Sequence, residues 1–266
     1  MIHQKFVHQD LNGNPWGIVT IEQMWEDKYI LKYNKPNKNL NLEDWLNLFT
    51  LAKSKGIELG AKRMGLRVRL EYDADKIRNI LSDLKFFKIS GRIEYQLEVE
   101  SLPDESGTPL IWKTAQQLNW TENEIANFTE KNLKNTLEDD PNDTILSFIH
   151  DWLNHEELTH GKDCIAVGFL NNQPAALVVA QVEMQTGWSR ISWMSALPEF
   201  RNQNLGKWIH RHGFRMIKEQ GGKLYHGSTH VDNKAMRKLF EKHACRFFCE
   251  IEMWEWTAEK ETENNF

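Results

Sequence analysis

The sequence predicts an α+β fold, a mixed and mostly antiparallel central sheet flanked by helices in three α/β layers, present in two tandem copies. Three observations predict it. The second half alternates short apolar strand patterns with amphipathic helical ones. The same order of elements recurs, more faintly, in the first half. Between the halves, Pro103-Asp-Glu-Ser-Gly-Thr-Pro109 gathers turn formers and acids as a linker does. The domains expected are therefore residues 1–105 and 106–266.

In the first half, residues 29–33 read as a strand, 42–54 as a helix and 66–72 as a further strand. Residues 75–81 (DKIRNIL) are helical and can be laid over residues 233–239 (NKAMRKL), each followed by an aromatic-rich strand. Residues 92–99 alternate apolar and polar side chains, the pattern of a half-buried strand. After the linker come Leu110-Ile-Trp-Lys113 and a stretch with helical spacing over 121–160. Residues 163–169 and 175–185 are strands joined by Asn171-Asn-Gln-Pro174, a hairpin signal. A third strand over 190–197 stops at Pro198, and a helix follows over about 205–220, ended by Gly221-Gly222. A strand over 223–231, a helix over 233–242 and a closing strand over 246–256 complete the order. The tail from Thr257 is polar and expected to fray.

With 266 residues, 40% hydrophobic and 27% charged, the chain can bury one large core or two ordinary ones. No apolar run approaches the roughly 18 residues a bilayer requires, so no membrane partner is expected. The opening MIHQKFVHQD lacks the apolar stretch of a secretory signal, and a cytoplasmic location is expected. A net charge of -5 removes the basic excess that sequence-independent nucleic-acid binding needs. Cys164, Cys245 and Cys249 match neither a disulfide framework nor paired zinc ligands, and read as buried free thiols. His155 and His160 are five apart, about 140° round a helix, so they do not form a zinc-protease face, and no metal is expected. Neither a G-x-S-x-G elbow nor a P-loop is present.

The chemistry is concentrated in Leu197-Pro-Glu-Phe-Arg-Asn-Gln-Asn-Leu-Gly-Lys207, which lies between the end of a strand and the start of a helix. Free amides at a helix N-terminus, aided by the helix dipole, form an anion site. The helix carries Lys207, Arg211, Arg215 and Lys218, with no acid from Phe200 to Lys218. That local field suits a polyphosphate although the chain as a whole is acidic.

This arrangement, followed by a strand and by Asn233 opening a helix, resembles the GNAT superfamily of N-acetyltransferases over about 150 residues of the second half. The resemblance implies that acetyl-coenzyme A is the co-substrate. Arg201, Gln203, Asn204, Gly206 and Lys207 would then surround the pyrophosphate, with Asn202 and Leu205 in the same loop. It also implies a bulge that splays two strands. Backbone groups of Met194, Ser195, Ala196 and Leu197 would pair with the pantetheine arm in the gap, much as an added strand does. Asn233 and Phe240 would contact the coenzyme near the thioester; without a ligand, Asn233 would serve as an N-cap.

Departures from the family pattern are informative. Asn204 replaces the loop's first glycine, which asparagine's tolerance of left-handed backbone permits. Phe240 stands where many members carry a tyrosine acid, and Arg190 and Ser228 where members carry a glutamate base. His226, Ser228 and His230, on one strand face, and Glu183 on the preceding strand are the candidate catalytic residues. Each has a bland structural reading beside it. Trp188 and Trp193 are candidate walls of a pocket for the acceptor, a small-molecule or peptide amine. The matching place in the first half, residues 37–44, has no glycine and ends in Glu43-Asp44, whose charges repel phosphate. The first copy is therefore expected to bind no coenzyme.

Overall fold

The computed structural model describes residues 3–9, 15–25, 27–33, 41–70, 74–101, 107–137 and 145–259. Eleven strands and six α-helices occur among them. The expected α+β class holds. The chain forms two compact units, one of residues 1–93 with 249–266 and the other of residues 94–248.

Unit 1 begins with β1 (His3–Gln9), β2 (Pro15–Trp25) and β3 (Lys28–Tyr33), then α1 (Leu42–Glu58), β4 (Arg63–Arg69) and α2 (Ala74–Asp83). β1 to β3 are antiparallel neighbours, and β4 joins β3 in parallel. α1 opens on a capping box in which Asn41 and Asp44 bond each other's backbone amides. Its Trp45 and Phe49 lie against Tyr33 in a tight aromatic cluster. Of the loop expected to replace the phosphate site, residues 37–40 lie outside the described residues.

β5 (Phe87–Glu98) starts in unit 1 and continues into unit 2. Unit 2 then adds β6 (Ile111–Thr114), α3 (Glu122–Leu133), α4 (Ile145–Asn154), β7 (Ile165–Leu170), β8 (Gln173–Val182), β9 (Trp188–Ala196), α5 (Gly206–Glu219), β10 (Leu224–His230) and α6 (Lys234–Lys242). The last strand, β11 (Arg246–Thr257), starts in unit 2 and returns to unit 1. Asn171 and Asn172 both take left-handed φ, the turn that a two-residue hairpin between β7 and β8 requires.

The sequence-based division at 105/106 differs from the observed one because each unit is completed by a strand from the other half of the sequence. In unit 1, β11 pairs antiparallel with β4 from Ile251↔Arg69 to Thr257↔Arg63. In unit 2, β5 is the neighbour of β10, and Val99 N donates to Lys223 O at 2.9 Å. The proposed linker at 103–109 is outside the description for residues 102–106. The tail expected to fray from Thr257 keeps Thr257 in β11, and residues 260–266 lie outside the described set.

The returning strand is strongly anchored. Trp254 and Trp256 enter the core of unit 1, and Arg63 bonds Glu255 at 2.9 Å. Glu252 is 6% exposed and receives Arg78 at 2.8 Å and Lys88 at 2.7 Å. Burial alone would raise its pKa, but the hydrogen bonds from Arg78, Lys88 and Trp254 outweigh burial and hold it at about 2.

In unit 2, α5 packs on one sheet face and α3 and α4 on the other. Gly213 admits the first contact: a Cβ there would stand 2.5 Å from Ile191 Cδ1. The opposite face joins Ile165, Val167, Leu177 and Val179 to Ile125, Phe128 and Trp152 of the helices.

Truncation after residue 248 should therefore leave unit 1 without its fifth strand and two core tryptophans. Limited proteolysis should then cut residues 3–93 of the truncated chain rapidly, while the intact chain resists under the same conditions.

Candidate functional site

β9 pairs with β10 only at Trp188↔Leu224 and Ser189↔Tyr225. Beyond Ser189 the two strands diverge. On the other side of β9, Val179 pairs with Trp193 and Ala180 with Ile191, so Ser192 is the extra residue of a bulge. The bulge turns Trp193 toward α4, where its ring stands 6.3 Å from Phe148 and 6.5 Å from Trp152. In unit 1 the corresponding pair stays closed, with four successive parallel pairs from Lys28↔Arg63 to Leu31↔Leu66.

The splayed stretch of β9 contains Met194, Ser195 and Ala196, whose β8 partners are Val178, Leu177 and Ala176. Across the gap no ladder uses their backbone. The Ser195 side chain is already committed: its Oγ accepts from Trp193 Nε1 at 2.9 Å and donates to Asn132 Oδ1 at 3.0 Å. Leu197 N donates to Ala175 O, ending the sheet before a single 3-10 turn over Pro198–Phe200.

The following loop takes the backbone that its asparagines allow, with φ of 62° at Asn202 and 59° at Asn204. Leu205 is the N-cap of α5, and no side chain caps the helix. Its first-turn amides thus have no side-chain acceptor, in contrast to the boxed start of α1. A Cβ on Gly206 would meet only Leu239 Cδ2, at 3.8 Å, so nothing in the fold itself demands glycine there. Lys207 and Arg211 lie over the Trp208 ring at 4.5 and 5.3 Å, keeping two cations near the helix start.

The Arg201 side chain is engaged within the protein. Its guanidinium donates to Ala196 O at 3.1 Å, Lys134 O at 2.8 Å and Asn132 O at 2.9 Å. It satisfies carbonyls at the α3 C-terminus and ties them to the end of β9, where its charge also complements the helix dipole. These bonds brace the loop. Gln203 likewise turns back, donating to Glu199 O at 3.2 Å.

Phe240 is packed within unit 2. It is 1% exposed, stacks on Tyr95 at 4.5 Å and lies against Gly227, where a Cβ would stand 2.5 Å from its ring. Position 240 is therefore a core position. Asn233 caps α6, its Oδ1 accepting from Met236 N at 3.1 Å.

The candidate catalytic residues separate. Glu183 sits in the turn before β9, at the end where β9 and β10 are still paired, and its carboxylate accepts from Thr186. The splay opens away from it. His230 Nδ1 accepts from Asp232 N at 3.2 Å and shapes the turn into α6. Ser228 is half-buried on the same face of β10 as His226 and His230. His226 is the first residue past the last β9–β10 pair, between the rings of Trp188 at 5.5 Å and Phe248 at 5.6 Å. Its Nε2 lies 3.2 Å from Glu94 Oε2, a carboxylate that sequence reading missed. Glu94 falls out of phase with Ile93, Tyr95 and Leu97 and so reads as a solvent-facing position, yet it is 3% exposed.

On the helical face, Arg190 bonds Asp151 at 2.8 Å and Gln181 at 2.9 Å, while Ser192 donates to Gln181 at 2.6 Å. Burial lowers the Arg190 pKa, and Asp151 opposes that shift. Behind β10, His210 Nδ1 lies 2.9 Å from His243 Nδ1, and its Nε2 3.1 Å from the Tyr225 hydroxyl. Burial pushes His210 well below the usual histidine range, with His243 adding to the shift. Burial, with Arg211 and Lys242, brings His243 down to about 4. Burial also raises Tyr225, and takes Cys245 up to about 12. Cys164, Cys245 and Cys249 are free and buried, as expected.

The model of the Acetyltransferase (GNAT) family matches residues 117–244. That segment lies within unit 2, and the fold of the whole chain is like that of tandem GNAT structures. A GCN5-related N-acetyltransferase from Sphaerobacter thermophilus superposes with a TM-score of 0.69 at 7% identity, covering 95% of this chain and 80% of its own. A tandem GNAT protein from the clavulanic acid biosynthesis pathway gives 0.65 at 9% identity, covering 97% and 83%. A GCN5-related N-acetyltransferase from Kribbella flavida gives 0.63 at 9% identity, covering 95% and 89%. At these identities the structural likeness speaks for the fold. A search of curated proteins finds no match. Among the described residues no helix is long and apolar enough to cross a membrane.

Two outcomes follow from this geometry. Arg201→Ala should lower the stability of unit 2 by about 1.5–3 kcal/mol, read from urea unfolding, because charged hydrogen bonds to three carbonyls are lost. Arg201→Lys should recover little, since one ammonium cannot reproduce the planar fork. Separately, His243 has a folded pKa below its unfolded value of about 6.5, so the native state binds fewer protons between pH 6.5 and about 4. Its contribution is complete above pH 6.5 and is lost as pH falls toward 4. His243→Gln should flatten the pH dependence of stability in this window by up to about 1.4 kcal/mol per pH unit, the slope for one proton.

Proposed function

We infer that unit 2 binds acetyl-coenzyme A and transfers the acetyl group to a primary amine by direct attack. The observation that carries this reading is the opening between β9 and β10 after Ser189, which leads directly to an uncapped helix start. The residues present fit the coenzyme. Along Met194 to Leu197, the backbone groups that face the gap instead of β8 offer hydrogen bonds to the amides of a pantetheine arm. Amides from Gln203 to Lys207, with the positive end of α5, would hold the pyrophosphate. Arg201 contributes by fixing the loop.

The coenzyme supplies an activated acyl thioester. The chain's part is to orient the amine against the carbonyl and to exclude water, which supplies much of the rate in such a transfer. Trp188 and Trp193 stand beside the gap and form walls of the acceptor pocket. A second reading, an acyl-coenzyme A sensor that binds without turnover, is favoured by one observation: Phe240 buries a phenyl ring where a tyrosine acid is usual. The loss of that acid is compatible with turnover because a thiol of pKa about 8.5 leaves readily as thiolate near neutral pH.

Calorimetry with acetyl-coenzyme A should give one site per chain, since α1 begins on its own capping box and two acids. Gly206→Glu should weaken that binding at least about tenfold by placing a like charge at the pyrophosphate, while circular dichroism stays unchanged. Equal affinity in the folded variant, or two equivalent sites, would refute the assignment. Thiol release with an amine separates enzyme from sensor.

A further inference from the structure

We propose that His226 is the general base of the acetyl transfer and that Glu94 is its positioning residue. This rests on the reading of unit 2 as an acetyltransferase. The inference comes from where the pair lies. His226 follows Tyr225, the last residue of β10 paired with β9, so its side chain stands at the apex of the opening. The apex is where an arm laid between the strands must end, and hence where its thioester presents the carbonyl carbon.

The other candidates are otherwise engaged. Glu183 is held by Thr186 beyond the paired end, His230 Nδ1 accepts from Asp232, and Arg190 is cationic and bonded to Asp151. His226 alone combines the apex position with a ring nitrogen, Nδ1, that makes no hydrogen bond among the described residues. Its Nε2 faces Glu94 at 3.2 Å. The Glu94 side chain is 4% exposed and that of His226 is 10% exposed. A carboxylate oxygen at this distance is an acceptor for a ring N–H. Nε2 carries that proton, which leaves the Nδ1 lone pair for the substrate. Trp188 and Phe248 flank the ring and restrict its rotation.

The step balances as follows. The acceptor ammonium gives one proton to His226 Nδ1 and becomes a free amine. Its nitrogen attacks the thioester carbonyl carbon, a C–N bond forms and the C–S bond breaks. The second N–H proton goes to the departing thiolate, and His226 returns its proton to solvent. Glu94 touches no reacting atom; it fixes the tautomer and stabilises the transient imidazolium. It also comes from the first half of the sequence, so a chain beginning after the linker would lack it.

The test measures thiol release from acetyl-coenzyme A with water alone and with spermidine, glucosamine or a tripeptide bearing a free N-terminus. Coenzyme affinity is measured in parallel by calorimetry. His226→Ala should lower kcat by about 10²-fold or more, the usual scale of a general base, and added imidazole should restore part of it. Glu94→Gln, which keeps the shape, should lower kcat by about tenfold. Both variants should bind the coenzyme as the wild type does. A His226→Ala protein with kcat within about threefold of wild type, or with no response to imidazole, overturns the assignment while the transferase reading stands. Parallel losses of coenzyme affinity and kcat would mark a structural role and overturn it too. A wild type that binds the coenzyme yet releases no thiol, with water or any amine, overturns the transferase reading and the base assignment with it.

Discussion

β9 stops pairing with β10 after two residues, and the backbone groups released on either side must find other partners. Two devices keep the gap from closing. The bulge at Ser192 rotates the later part of β9 and seats Trp193 among the aromatic rings of α4. Arg201 then holds the strand end, at Ala196 O, to the last carbonyls of α3. The opening is thus maintained by contacts on both flanks, and a ligand need not supply the energy to create it.

The two units show how a small sequence difference turns one arrangement into a site or a simple scaffold. Unit 1 closes its parallel pair, caps its helix with Asn41 and Asp44, and puts Glu43 in the first turn. Unit 2 leaves the helix start bare and surrounds it with Lys207 and Arg211. The net charge of the whole chain carries no information about either.

Much of unit 2 was legible because its punctuation is local. Asn171-Asn172, Pro198, Gly221-Gly222 and Asn233 mark the ends of elements through their own backbone preferences, and the structure places those ends within a few residues. β1 and β2 are separated in the sequence by Asn12-Gly-Asn-Pro15, a turn signal of the same kind that went unread. Strand partners were hidden for a different reason. The alternation in β5 and β11 is satisfied by any neighbour offering an apolar face, so sequence pattern cannot say which half each completes. The packing of Phe240 and the three carbonyl bonds of Arg201 were hidden because motif position does not reveal which way a side chain points. The Glu94–His226 contact joins residues 132 apart, a separation that no local pattern bridges.

The crossing of β11 from unit 2 to unit 1 has a consequence for how the protein is made. A ribosome delivers the chain from the N-terminus, and domains ordinarily fold as they emerge. Here β4 waits for residues 251–257, far later in the sequence, before its free edge is covered. Until those residues emerge, that edge is a template for wrong pairing. The long loop closed by the late strand also raises contact order, which slows folding. Biogenesis, more than final stability, is the stage at which this architecture is vulnerable.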